Sequence, residues 1–206
     1  MTSNNDLVNY LINKNTLKSK NIIQAFKHVD RANFVFDPTA SDIYEDYPLQ
    51  IGYQQTISQP TTVAMMLEML QPNEGDKILD IGSGSGWTTA LLSFIVKEKG
   101  SVIGLERINS LVEYGNNNLK IYKFKNSKII HVKETLGIPG KKFDRILVSA
   151  AADELPYELI DQLKLGGKLV IPIKNSIFEI TKKSNTEFET IEHYGFRFVP
   201  LILSNS

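Results

Sequence analysis

Apolar positions in the first part of the chain recur at helical spacing. Leu7, Tyr10 and Leu11, then Ile22, Ile23, Phe26 and Val29, predict helix across residues 5–36. Residues 33–46 break this pattern, and Pro38 stops any helix there. Residues 46–60 carry many polar groups and few helix signals, which predicts an ordered loop. Helical spacing returns from Thr61 in the run Val63-Ala-Met-Met-Leu-Glu-Met-Leu70, with Pro60 near the first turn.

The period then changes. Short apolar runs at 77–81, 101–106, 127–132, 143–149 and 167–172 read as strands. Helical segments at 87–99, 110–122 and 155–163 lie between them. Such alternation predicts an α/β fold with a mostly parallel, doubly wound sheet of Rossmann-like type, helices covering both faces. After Pro172 the segments 178–182, 188–193 and 196–203 read as antiparallel strands at one edge. The expected organisation is a single domain over 1–206. Helices and a loop occupy 1–74, the doubly wound core 75–175 and the antiparallel strands 176–206.

Composition narrows the chemistry. Lys plus Arg equals Asp plus Glu at 23 each, which argues against a broad basic surface for nucleic acid. Without cysteine there is no disulfide, thiolate metal site or cysteine nucleophile. The three histidines, His28, His131 and His193, lack metal-ligand spacing, so no metal is expected. No apolar run approaches the roughly 20 residues that span a bilayer. The N-terminus has no basic start followed by an apolar run. The expectation is a cytoplasmic protein without membrane or nucleic-acid partners, monomeric in solution.

The most informative stretch is Leu79-Asp-Ile-Gly-Ser-Gly-Ser-Gly86, which follows one strand and opens a helix. Glycines there let the backbone turn sharply and approach a ligand, with helix-start amides facing it. Glu106 ends the next strand, where a carboxylate can accept from both hydroxyls of a ribose. A nicotinamide dinucleotide calls for G-x-G-x-x-G. Gly82, Gly84 and Gly86 give G-x-G-x-G instead, and Asp80 stands where a pyrophosphate would be repelled. An acid there suits a ligand with an amine and a sulfonium. The pattern resembles the S-adenosylmethionine loop of class I methyltransferases.

Further segments share one resemblance: Asp30-Arg-Ala-Asn-Phe-Val35, Ile51-Gly-Tyr-Gln-Gln-Thr-Ile-Ser-Gln-Pro60 and Val148-Ser-Ala-Ala-Ala152 with Leu155-Pro156. Gln162-Leu-Lys-Leu-Gly-Gly-Lys-Leu-Val-Ile-Pro172 and Arg197-Phe-Val-Pro-Leu201 complete the set. Together they resemble the protein-L-isoaspartate O-methyltransferase family, and Thr56-Ile57-Ser58 is the most specific of them. The resemblance implies S-adenosyl-L-methionine as cofactor and S-adenosyl-L-homocysteine as product. It implies isoaspartyl-containing proteins and peptides as partners, methylated on the free α-carboxylate to begin repair through a succinimide. Ser58 is the implied catalytic residue, hydrogen-bonding the carboxylate or lining the transfer channel. Its other reading is a helix cap ahead of Pro60. Gln54, Gln55 and Ile57 are the substrate-side candidates. Asp80, Gly82, Ser83, Gly84, Gly86, Glu106, Glu134 and Thr56 are the cofactor candidates. Asp46 reads as a residue of the site mouth or of a turn, and Trp87 as buried packing. After the third strand, the family's usual Gly-Asp-Gly is replaced by Val132-Lys-Glu134, with Lys133 in the position of the Asp. A different methyl acceptor, or a relative that binds cofactor without turnover, are the alternative readings.

Overall fold

The computed structural model describes residues 1–202 except Pro38 and Glu134. The long N-terminal helical pattern resolves into two helices, α1 (Asn4–Asn13) and α2 (Lys20–His28), followed by a 3-10 turn at Arg31–Phe34. Ser3 caps α1, its side chain accepting from the Asp6 amide. Residues 46–60 fold as a small hairpin, β1 (Leu49–Gln50) against β2 (Thr56–Ile57), and lead into α3 (Pro60–Leu70) with Pro60 in its first turn. The helix-breaking reading of Pro38 falls on a residue outside the described ones.

Five parallel strands follow: β3 (Lys77–Ile81), β4 (Ser101–Glu106), β5 (Ser127–His131), β6 (Phe143–Val148) and β7 (Leu163–Ile173). Between them run α4 (Trp87–Val96), α5 (Asn109–Ile121) and the single turn and a half of α6 (Tyr157–Asp161). Antiparallel β8 (Ser176–Lys182) and β9 (Phe188–Tyr194) extend the edge, giving the order β5-β4-β3-β6-β7-β8-β9. The expected doubly wound sheet is therefore present. Its strand order reverses beside β3, whose neighbours are β4 and β6. In open α/β sheets a ligand crevice forms outside the carboxyl ends of strands at such a point.

The period-2 alternation of β3 and its neighbours divides the core. Ile78, Val102, Leu147 and Val170 face α1 to α5, while Leu79, Leu105, Ile146 and Leu169 face the layer that holds α6. Both faces are buried along β3 and in the carboxyl-terminal halves of β6 and β7, as central parallel strands require.

Two expectations are corrected. The segment 155–163 is helical only over Tyr157–Asp161, and β7 starts at Leu163 rather than 167. Gly167 permits this, because a Cβ there would lie 2.8 Å from the Lys164 carbonyl oxygen. The segment 196–203 is not a strand in its described part. Gly195 ends β9, and Pro200 has no N–H to donate, so only an isolated bridge to Ala151 forms. Leu203 lies outside the described residues. Among the described residues no helix is long and apolar enough to cross a membrane.

Candidate cofactor and substrate site

The glycine turn is bound to the end of β4. Gly82 and Ser83 donate their amides to the Leu105 carbonyl at 2.9 and 3.1 Å, and Gly84 donates to Glu106 Oε2 at 3.0 Å. Glu106 Oε1 accepts from the Ile108 amide at 2.9 Å. Each oxygen has two lone pairs, so the carboxylate is held by backbone and keeps acceptor capacity. Gly86 takes the left-handed conformation (φ +87°) as α4 begins, and a Cβ there would press on the Gly115 carbonyl at 3.2 Å. Gly115 of α5 is the reciprocal small residue, since its Cβ would meet Ile129 Cδ1 at 2.5 Å. Helix α5 thus packs directly on the turn.

A cleft opens at the carboxyl ends of β3, β4 and β6. It encloses about 800 Å³ of atom-free space, its open mouth included. Gln55, Thr56 and Ser58 form one wall, Gly82, Gly84 and Glu106 another. Val132, Lys133, Thr135 and Leu136 line it as well. A narrower extension shares Thr56, Ser58, Gly82, Gly84 and Ser149 with the cleft and adds Ile57, Ser83 and Thr88.

The structure thus brings Thr56, Ser58, Gly82, Gly84 and Glu106 to one cavity, with Gln55 beside them. Ile57 is buried at 4% exposure, reaching only the extension. Gln54 is exposed at the hairpin tip and lines neither space. Glu134 lies outside the described residues. Asp80 is fully buried beneath the turn. Its Oδ2 accepts from the Thr88 and Thr89 hydroxyls at 2.8 and 2.6 Å, and its Oδ1 is buried with no partner. Ser58 does not cap α3. Gln59 holds the cap position without a side-chain bond. The carboxylate of Asp46 accepts from the Thr61 amide and hydroxyl instead, at 2.9 and 2.7 Å. That makes Asp46 the distant helix cap and leaves Ser58 among the residues that line the cleft.

Several wall residues carried no chemical signal in the sequence. Arg107 follows Glu106, Ser149 and Ala150 follow β6, and Val199 to Ile202 line the same cleft. The last group is fastened by Ala151, whose amide donates to the Val199 carbonyl at 2.8 Å and whose carbonyl accepts from Leu201 at 2.7 Å. The resemblance had marked both segments, but only the fold shows that they meet.

Burial pushes the Asp80 carboxyl up to about 6, and the Glu106 charge adds to the rise. The Thr89, Thr88 and Ser83 hydrogen bonds oppose it. A carboxyl raised in the folded state stabilises the fold most when protonated. That contribution is complete below the unfolded value of 3.8 and is lost as pH climbs through about 6. The difference corresponds to about 3 kcal/mol. Asp80→Asn removes the titration. The natural chain without cofactor should therefore lose about 3 kcal/mol relative to this variant between roughly pH 3 and pH 7.5, measured by urea unfolding. A difference that stays flat across that range would contradict the buried-acid assignment.

The donor set fits S-adenosylmethionine. A carboxylate at the β4 end suits a ribose diol, apolar Leu105, Val132 and Leu136 suit a purine, and side-chain-free Gly82 and Gly84 admit close approach. A parallel sheet with this turn and this acid at its switch point defines an S-adenosylmethionine-dependent methyltransferase of class I. Within that class the relatives are specific. The family model for protein-L-isoaspartate(D-aspartate) O-methyltransferase matches residues 2–206, and the chain belongs to that family. A protein-L-isoaspartate O-methyltransferase of Methanospirillum hungatei is 38% identical, covering 98% of this chain and 94% of the relative. One from Pyrococcus abyssi is 39% identical over 95% of this chain and 92% of its own. A Plasmodium falciparum protein assigned to the same enzymes was crystallised with S-adenosyl-L-homocysteine. It superposes with a TM-score of 0.87 at 30% identity, covering all of both chains.

Proposed function

We propose that the protein methylates the free α-carboxylate of L-isoaspartyl residues in damaged proteins and peptides. The observation that carries the reading is the shared cavity. The Thr56-Ile57-Ser58 segment and the Gly82–Glu106 wall meet with Ser58, Gly82 and Gly84 all lining the same space.

When bound, S-adenosylmethionine supplies a sulfonium methyl; the carboxylate oxygen bonds to it as the carbon–sulfur bond breaks, and no proton is transferred. A carboxylate is ionised at neutral pH, so no general base is needed. The protein's work is alignment and partial removal of water. In this reading Glu106 holds the ribose, and Gly82, Ser83, Gly84 and Gly86 shape the turn. Thr56 would border the cofactor, and the Asp80 carboxylate, buried beneath the turn, would favour a cationic group above it. The Ser58 hydroxyl donates to the substrate carboxylate, with Gln55 and Gln54 along the peptide side and Ile57 supporting the wall. The neighbouring backbone amide nitrogen then displaces methanol from the ester to close a succinimide without further help, and water reopens part of it to normal aspartate. We extend the proposal to a cytoplasmic monomer acting on protein rather than nucleic acid. The balanced charge of 23 basic and 23 acidic residues supports that choice of acceptor, and sedimentation tests the monomer.

The test is methyl transfer to an isoaspartyl peptide and to its aspartyl twin. Only the first should be methylated; equal rates on both would reject the substrate assignment. Ser58→Ala should lower kcat roughly 10- to 100-fold, the effect of losing one hydrogen bond to a charged group. Its affinity for S-adenosylhomocysteine should stay within about twofold of the natural chain.

A further inference from the structure

Arg31 is fully buried, and burial lowers its pKa to about 9 while Asp46 opposes the shift. The side chain therefore stays charged at neutral pH. A buried cation is a costly core residue, and well-packed apolar groups often serve stability as well or better. Its hydrogen bonds show what it holds. Nε donates to the Ile43 carbonyl at 2.9 Å, Nη1 to the Ser58 carbonyl at 2.7 Å and Nη2 to the Tyr47 carbonyl at 3.1 Å. All three acceptors lie on the segment between the 3-10 turn and α3. The guanidinium also sits 4.8 Å from the ring centre of Trp87, the residue that follows the glycine turn. One planar fork thus joins the backbone of the substrate-side loop to the start of the helix that carries the cofactor turn.

We propose that Arg31 is a positioning residue for methyl transfer, fixing the backbone at Ser58 against the Gly82–Gly86 turn. The proposal rests on the reading of the Ser58 wall as the substrate side. Arg31 lines neither the cleft nor its extension, so it acts through the loop it holds. Transfer between two bound groups is sensitive to misplacement, with about 1 Å costing on the order of 100-fold. A lysine cannot reproduce a rigid three-way fork.

The experiment compares R31K, R31M, S58A and R31K/S58A in the methyl-transfer assay on an isoaspartyl peptide. S-adenosylhomocysteine calorimetry accompanies each variant. R31K should lose roughly 10- to 100-fold in kcat and keep its cofactor affinity within about twofold. R31M removes the buried charge together with the fork, so it provides a folded comparison where R31K is unstable, and it should show the same split. The double variant should be no more than about threefold slower than S58A, because both changes disable one unit. Fully additive losses, or cofactor affinity falling in step with turnover in both Arg31 variants, would overturn the proposal. The underlying reading fails separately. S58A at full turnover removes the role of the hydroxyl, while the kcat-against-affinity split in R31K and R31M still decides whether Arg31 positions the loop.

Discussion

Glu106→Ala is expected to weaken S-adenosylhomocysteine binding by at least about 100-fold while leaving a folded protein. The side chain is 6% exposed and ends β4 in register with His131 of β5. The Gly84 and Ile108 amides hold it in place, so it is already oriented before any ligand arrives. Hydrogen bonds to an ionised acceptor contribute about 1.5–3 kcal/mol each. Two such bonds to a ribose diol amount to at least about 3 kcal/mol, and each 1.4 kcal/mol is about tenfold in affinity. Alanine also leaves the Gly84 amide without its acceptor, which loosens the turn. Glu106→Gln keeps one carbonyl acceptor and should lose less, roughly tenfold. Calorimetry reads both directly. Affinity in Glu106→Ala within a few-fold of the natural chain would remove the ribose role and with it the orientation proposed for the cofactor.

The five parallel strands and α3 to α5 were legible because each is long enough to show its period. Their boundaries shift by only a few residues between pattern and structure. The β1–β2 hairpin was not legible. Its strands are two residues long, and its turn places Tyr53 and Gln54 at φ +54° and +59°, where Asn-Gly is the usual signal. The start of β7 was hidden for a different reason. Leu163 to Leu165 continue an apolar helical pattern, and only pairing with Phe143 draws Leu163 into the sheet.

The candidate site divides in the same way. Gly82, Gly84 and Glu106 belong to one strand–turn–helix–strand unit, so their meeting could be read along the chain. The caps and anchors could not. The acceptor for the Thr61 amide is Asp46, fifteen residues upstream, and the donors that hold the Ser58 segment are on Arg31. Sequence proximity favoured Ser58 as the cap, and a tertiary contact supplies a better acceptor. Asp80 shows the limit from another side. Its position before the turn is visible in the sequence, but its side-chain direction is set by Thr88 and Thr89 on α4. The wall at 199–202 depends on a bridge to Ala151 that no local pattern announces.

Trp87→Ala is expected to cost about 3–5 kcal/mol of stability, the range for emptying a large buried aromatic site. Trp87 is 2% exposed and packs edge-on against Phe26 of α2 at 5.6 Å. It therefore joins the N-terminal helices to α4, and its ring faces the buried guanidinium of Arg31. That last contact adds about 0.5–2 kcal/mol in a desolvated setting, so alanine leaves both a cavity and a cation without its partner face. One feature works the other way. The Trp87 Nε1 is buried with no acceptor, and its removal relieves a cost of about 1–3 kcal/mol. Trp87→Phe separates these effects, because it keeps most of the ring area and discards the unpaired N–H. It should cost less than about half of the alanine loss. Set against a total stability of about 5–15 kcal/mol for a domain, the alanine variant should be marginal near room temperature and regain stability when S-adenosylhomocysteine is added. Urea unfolding followed by far-ultraviolet circular dichroism measures all three proteins. An alanine variant within about 1 kcal/mol of the natural chain would show that α2 and α4 are held together elsewhere.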